Sequence, residues 1–312
     1  ATLWKYSPDL PSYSKILEYK PDLSSRLYSS DGVILKSYHR KERIFIPIER
    51  VPENLINAFL SSEDKKFFKH HGIDFIAILR ASVSNIISFF SNQKLIGAST
   101  ITQQVVKNLL LTNEISFDRK IKEILLALRI ENILTKNQIL ELYLNDIYLG
   151  LRSYGIAAAS LNYFNKSIND LDLAEIAFLA SLPKAPNNYN PKKYYERALE
   201  RRNWVIDRMY QNGYIEKSDL SYKNKKIEIT DRKNKIFIGG EYYYEEIRKN
   251  LFLDYGEKTL YSEGLIVKTS INTKLQSIAE NALIKGLIEY DKRQGWRGAL
   301  GNIIDQKINF ED

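Results

Sequence analysis

The sequence predicts a mainly α fold, with a short β-hairpin ahead of a helical body and a small α+β extension behind it. Three observations carry this. From Val51 to about Arg208, apolar residues recur almost wholly at helical spacing. Upstream, Arg26-Leu27-Tyr28-Ser29-Ser30-Asp31-Gly32-Val33-Ile34-Leu35 sets two short apolar runs around an Asp-Gly turn, the signal of a hairpin. After about residue 211, Lys and Asn become frequent, and the runs 235–238 and 265–270 look like short strands before one more helix over 273–291.

Residues 1 to about 25 are rich in Pro, Ser and Tyr and read as an extended lead-in. Helices are expected over 52–62, 74–90, 100–111, 117–134, 136–144, 154–163, 171–181 and 194–210. Pro52 starts the first, and Leu55, Phe59 and Glu63 then fall at four-residue steps along its inward stripe. Thr100 and Gln103 have capping-box spacing at the start of the 100–111 helix. Ile101, Val105 and Leu109 form its apolar stripe, while Thr100, Gln104, Lys107 and Asn108 gather on a polar side. The 117–134 helix has Phe117, Ile121, Ile124, Leu125 and Leu128 on one face and Leu126, Ala127 and Ile130 on the other. Apolar on both faces, it is expected to be central, with Arg119 and Glu123 paired on the second face.

At 312 residues the chain can bury one substantial core and a smaller second unit. A net charge of +8 and a pI near 9.2 favour an anionic partner, or else mark a Lys-rich soluble surface. The charge is interspersed with acids and no nucleic-acid-binding module is present, so no nucleic-acid partner is expected. The absence of cysteine excludes disulfides, thiolate metal sites and Cys nucleophiles. Three histidines, two of them adjacent, make a histidine metal cluster a poor reading. The apolar stretch 75–90 is interrupted by Arg80, Ser82, Ser84 and Asn85, too short and polar to span a bilayer. No signal peptide is visible at Ala1, so any membrane anchor would have to precede this residue.

The most informative segment is Ser62-Glu63-Asp64-Lys65-Lys66-Phe67-Phe68-Lys69-His70-His71-Gly72. A carboxylate on an inward stripe is partly desolvated, which raises its pKa toward that of a general base. The plainer reading is a solvated acid at a helix end. Arg119 with Glu123 reads equally as a common structural ion pair, Lys107 as a solvated cation and His70 as a packed histidine.

Taken together, the segments resemble the glycosyltransferase family 51 module of class A penicillin-binding proteins. Residues 63–72 are similar to the first family motif, and Gly97-Ala98-Ser99-Thr100-Ile101-Thr102-Gln103-Gln104-Val105-Val106-Lys107-Asn108 to the second. Arg119-Lys120-Ile121-Lys122-Glu123 resembles the third, and Ile139-Leu140-Glu141-Leu142-Tyr143-Leu144-Asn145 the fourth. Tyr163-Phe164-Asn165-Lys166 with Leu182-Pro183-Lys184-Ala185-Pro186 resembles the fifth. One departure is Asn165, where the family usually has glycine; Asn tolerates the left-handed turn. The tail from Tyr290 to Gly298 resembles the start of an inserted small β-domain in Gram-negative members. No Lys-Thr-Gly or Lys-Ser-Gly strand occurs, and Ser62 to Lys65 and Ser91 to Lys94 are chance Ser-x-x-Lys matches. Cross-linking of peptides and acylation by β-lactams are therefore not expected of this chain.

The resemblance implies a lysozyme-like helical glycosyltransferase domain over 26–210, with 1–25 as lead-in after an anchor, 211–290 as linker toward a transpeptidase region, and 291–312 opening an incomplete β-domain. It implies polymerisation of lipid II into β-1,4-linked glycan with inversion and release of undecaprenyl pyrophosphate. Glu63 would be the base, with Glu123 the second catalytic acid. Substrate contacts would come from Asp64, Phe67, Ser99, Thr100, Gln104, Lys107, Asn108, Arg119, Lys120, Tyr143, Asn145 and Lys184. Glu123 would orient the cations or help hold a divalent cation, Mg2+ or Mn2+, on the pyrophosphate. The implied partners are lipid II, the growing glycan chain, the cytoplasmic membrane surface and other cell-wall synthesis proteins. The implied location is the periplasmic face of a bacterial inner membrane, with the stretch 75–96 as an interfacial surface. A glycan-cleaving enzyme of lysozyme type and a non-catalytic lipid II-binding remnant are the alternatives.

Overall fold

The computed structural model describes residues 24–38, 42–81, 83, 99–111, 114, 116–230, 239–295 and 298, with side chains from 44 onward after the first gap. The expected strand at 235–238, most of the expected helix beyond 81 and the expected β-domain start beyond 298 lie outside these residues. Chain contacts divide the protein into two units. One comprises 1–24, 38–234 and 258–264; the other comprises 25–37, 235–257 and 265–312.

The first unit is the helical body. Its elements are β3 (Glu42–Arg43), α1 (Glu53–Glu63), α2 (Ile101–Leu110), α3 (Phe117–Glu131), α4 (Lys136–Asp146), β4 (Ser153–Tyr154), α5 (Ile156–Phe164), α6 (Leu173–Ser181) and α7 (Tyr195–Gln211). A further helical stretch runs from 75 to 81. Most starts are written locally. Pro52 precedes α1, Thr100 and Gln103 close the expected capping box of α2, Thr135 and Gln138 do the same for α4, and Asp172 and Glu175 for α6. At the end of α5, Asn165 adopts the left-handed conformation (φ 53°, ψ 36°), as the glycine-like position in the sequence implied.

Burial of α6 fixes the arrangement. Ala177, Phe178, Leu179 and Ala180 are fully buried, and α1 and α7 pack against this helix. α2 packs on both α3 and α4. Leu55 and Phe59 of the α1 stripe are fully buried, so the phase read from sequence is the one that packs. α3 differs from expectation: Leu126, Ala127 and Ile130 are buried, but Phe117 is 92% exposed and the remainder of its face is only half-buried. The helix is therefore peripheral, with one core face, because a second apolar face supplies packing potential without a neighbour to use it.

The second unit holds β1 (Ser25–Tyr28), most of β2 (Ile34–Tyr38), β5 (Ile266–Lys268) and α9 (Thr273–Arg293). Strand order is β2-β1-β5, with β1 and β5 parallel and Leu27 opposite Val267. The Asp31 turn residue also caps α9: Thr273 Oγ1 donates to Asp31 at 2.6 Å, and this bond with one from Ser29 lowers the Asp31 pKa to about 2. The helical stretch Glu241–Ser262 (α8), kinked at Gly256 with φ 79°, was not read from the sequence. Its Lys, Glu and Tyr residues leave no continuous apolar stripe to find.

Candidate active site

Glu63 closes α1 and is only partly exposed. Gln104 Nε2, on the first turn of α2, donates to Glu63 Oε2 at 2.9 Å. Burial raises the Glu63 pKa; the Gln104 bond and the charges of Arg201 and Lys184 oppose that rise, and Asp64 adds to it. The net direction is upward, so the group is a stronger base when ionised than a solvated carboxylate.

The next residue is held differently. Asp64 is buried, and its carboxylate accepts from His70 Nε2 at 2.9 Å and from the Ile101 backbone N–H at 3.1 Å. It thus places a negative charge on the N-terminus of α2, where the helix dipole favours one. The expected substrate role of Asp64 gives way to this structural one, and His70 is a packed histidine. Phe67 is likewise corrected: it is fully buried, edge-on to Phe68 and His70, with Lys136 Nζ 4.5 Å from its ring centre. The neighbouring Phe68 is the exposed aromatic. Gly72 ends the segment at φ 80°, and a side chain there would meet the Ala127 carbonyl of α3 at 2.8 Å. Thr100 donates to the Gly72 carbonyl at 2.6 Å while capping α2. Its hydroxyl is committed to joining two chain segments and is not available to a substrate.

Across α2 lies the second carboxylate. Glu123 is 2% exposed and receives Arg119 at 3.4 Å and Lys120 at closer range. Lys120 Nζ also donates to Ser99 Oγ at 2.9 Å, immediately before α2. Ser99 lies just before the N-cap Thr100, and Gln104 falls on the first turn of α2. The start of α2 therefore has Lys120 bonded just ahead of its cap and Glu63 bonded on its first turn. Lys107 and Asn108 follow Gln104 on the same side, both exposed. Lys184, exposed after α6, contributes its charge to Glu63.

The fourth motif supplies scaffolding. Asn145 is buried: its Oδ1 accepts from Ile46 N–H at 2.8 Å, and its Nδ2 donates to the Ile46 and Glu141 carbonyls, each at 2.9 Å. Both its amide hydrogens and one oxygen lone pair go to pinning an extended segment to α4, so the expected substrate contact gives way to this structural role. Tyr143 is buried against Phe59, and burial followed by the Glu63 and Asp64 charges pushes its phenol pKa well up. Its hydroxyl has no hydrogen-bond partner among the described residues. It sits beneath the carboxylates rather than at a surface a substrate reaches.

The expected Mg2+ or Mn2+ site does not fit these donors. Both Glu123 oxygens face cations, and among the described residues no three His, Asp or Glu side chains converge.

Arg201 on α7 was missed by the sequence reading. It acts on Glu63 through charge, and the only available cue was a basic helix, which does not say which side chain faces the site. A separate cavity of about 100 Å³ lies by Arg202, Lys166, Glu175 and Lys225. Lys166 pairs with Glu175 and Lys225 with Asp172, and Arg202 donates to the Lys223 and Lys225 carbonyls, so these groups brace the fold.

Comparison with known proteins places the chain among transglycosylases. The transglycosylase family model matches residues 31–210. Penicillin-binding protein 1A of Rickettsia prowazekii (strain Madrid E) is 45% identical over 303 residues, covering 96% of this chain and 38% of that protein. Penicillin-binding protein 1A of Escherichia coli (strain K12) is 39% identical over 298 residues, covering 95% and 35%. The crystal structure of penicillin-binding protein 1A from Haemophilus influenzae superposes with a TM-score of 0.53 at 29% identity, covering 90% of this chain and 32% of that one. The chain thus spans well under half the length of these relatives.

Proposed function

Since the chain belongs to the transglycosylase family, we propose that its helical unit polymerises lipid II into β-1,4-linked glycan, with inversion and release of undecaprenyl pyrophosphate. The observation that carries this reading is the Glu63 carboxylate, raised in pKa by burial and held on one oxygen by Gln104. Its other oxygen accepts the proton of the attacking sugar 4-hydroxyl as the new bond forms at the anomeric carbon. The leaving pyrophosphate needs positive charge more than a proton. Arg119 and Lys120, braced by Glu123, supply that charge, with Lys107 and Asn108 along the exposed side of α2. Glu123 here positions cations.

A membrane-surface location is part of the proposal. Phe68, Phe75, Ile76, Leu79 and Val83 are all exposed, an apolar set suited to the interface where a lipid-linked substrate resides. Among the described residues no helix is long and apolar enough to cross a membrane. The periplasmic face of a bacterial inner membrane, lipid II, the growing glycan and other cell-wall synthesis proteins complete this reading. Glycan cleavage is disfavoured, since hydrolysis of a neutral linkage has no use for the cations around Glu123.

The test is polymerisation of purified lipid II by the chain. Long glycan strands are expected from the wild type, and Glu63→Gln should reduce the rate by about 10²-fold or more. Soluble muropeptides released from isolated cell wall, without polymer from lipid II, would overturn the proposal.

A further inference from the structure

We propose that Arg201, fixed on α7 by Trp204, is a positioning residue that keeps the Glu63 carboxylate ionised and ready to accept a proton. This rests on the reading of Glu63 as the base. α7 packs directly on α1, the helix that ends at Glu63. The Arg201 guanidinium stacks on the Trp204 indole at 3.8 Å, and Arg208 approaches the same ring at 5.1 Å. Stacking on an indole removes much of the rotamer freedom of a long cation, so its charge stays where the helix puts it.

That charge is not consumed locally. Arg201 Nε is buried without a hydrogen-bond partner, and no ion pair of Arg201 is formed, among the described residues. Its favourable electrostatic neighbours are Glu63 and then Tyr189, while Arg208 opposes them. Glu63 is faced by Gln104 from α2, Arg201 from α7, Lys184 from the segment after α6, Tyr143 from α4, and Asp64 beside it. Gln104 grips Oε2, and Oε1 accepts no hydrogen bond among the described residues.

The spacing has a chemical use. A guanidinium bonded directly to Glu63 would occupy its acceptor lone pairs and depress its basicity by roughly 1–3 pH units. A stacked guanidinium beyond bonding distance offsets part of the burial effect through space and leaves the reactive oxygen open.

The experiment is a ¹³C-carboxyl NMR titration of Glu63 in wild type, Arg201→Gln, Arg201→Lys and Trp204→Leu, beside the pH profile of lipid II polymerisation. Arg201→Gln should move the Glu63 midpoint and the acidic limb of kcat upward together by about one pH unit, roughly a tenfold loss of ionised base below the midpoint. Arg201→Lys should recover at least half of that shift, and Trp204→Leu should show a smaller upward shift with the charge retained. An unmoved Glu63 midpoint, or a rise in KM alone with the limb in place, would overturn the proposal and assign Arg201 to substrate. If Arg201→Gln does not fold, Trp204→Leu decides by the same midpoint. Absence of polymer from the wild type would defeat the proposed activity, while the titration would still decide the role of Arg201.

Discussion

Gln104 donates from the first turn of α2 to the carboxylate of Glu63 at the last residue of α1, at 2.9 Å. One neutral amide thereby orients the base and stabilises its charged form without adding charge.

Replacing that amide has a signed consequence. Burial raises the Glu63 pKa and the Gln104 bond lowers it, so Gln104→Leu raises it further. Activity requires ionised Glu63 and is lost as pH falls through its pKa, so the acidic limb of kcat should move to higher pH, by about one unit. An acidic limb that stays in place would show that the bond is not made during turnover.

Glu123→Gln removes the negative charge that two cations share and turns one of their accepting oxygens into a donor. The acid is nearly inaccessible, Arg119 is mostly covered and Lys120 is substantially exposed. Solvent screening at Lys120 reduces the cost, leaving a destabilisation of about 1–3 kcal/mol by chemical denaturation. Polymerisation should fall by more than the unfolded fraction explains, because Arg119 and Lys120 lose their geometry. Full specific activity in the folded fraction would assign Glu123 to stability alone.

Phe67→Ala tests the placement of an aromatic first read as a substrate contact. A fully buried phenylalanine truncated to alanine should cost about 3–5 kcal/mol. KM for lipid II should stay near wild type in protein kept folded at low temperature. A large KM increase with normal stability would return Phe67 to the substrate surface.

Asn165 ends α5 at φ 53°. Asn165→Ala should lower stability by about 1 kcal/mol, since a β-carbon without a local hydrogen-bonding group is strained there. Asn165→Gly should change stability by only a few tenths of a kcal/mol. Equal melting temperatures for the Ala and Gly variants would refute the conformational argument.

Much of the helical body was legible because its signals are local. Pro52, the Thr100–Gln103 box and the left-handed Asn165 each act within a few residues, so sequence neighbours suffice to read them. The α1 stripe was legible for the same reason: Leu55, Phe59 and Glu63 share a phase whatever packs against them. The motif segments, however, mix residues that build with residues that react. Asp64, Phe67, Thr100 and Asn145 carry plausible binding chemistry in the sequence, yet the fold uses the first, third and fourth as internal hydrogen-bonding groups and the second as core.

Position along the chain determined most helices of the first unit, the inward stripe of α1 and the carboxylate at its end, since backbone periodicity and capping are properties of neighbouring residues. Only folding decided that Gln104 would grip that carboxylate, that Arg119 and Lys120 would converge on Glu123, and that Arg201 would bring its charge from a helix well over a hundred residues away in the chain. Desolvation and through-space charge depend on what surrounds a group in three dimensions, and no local pattern encodes that.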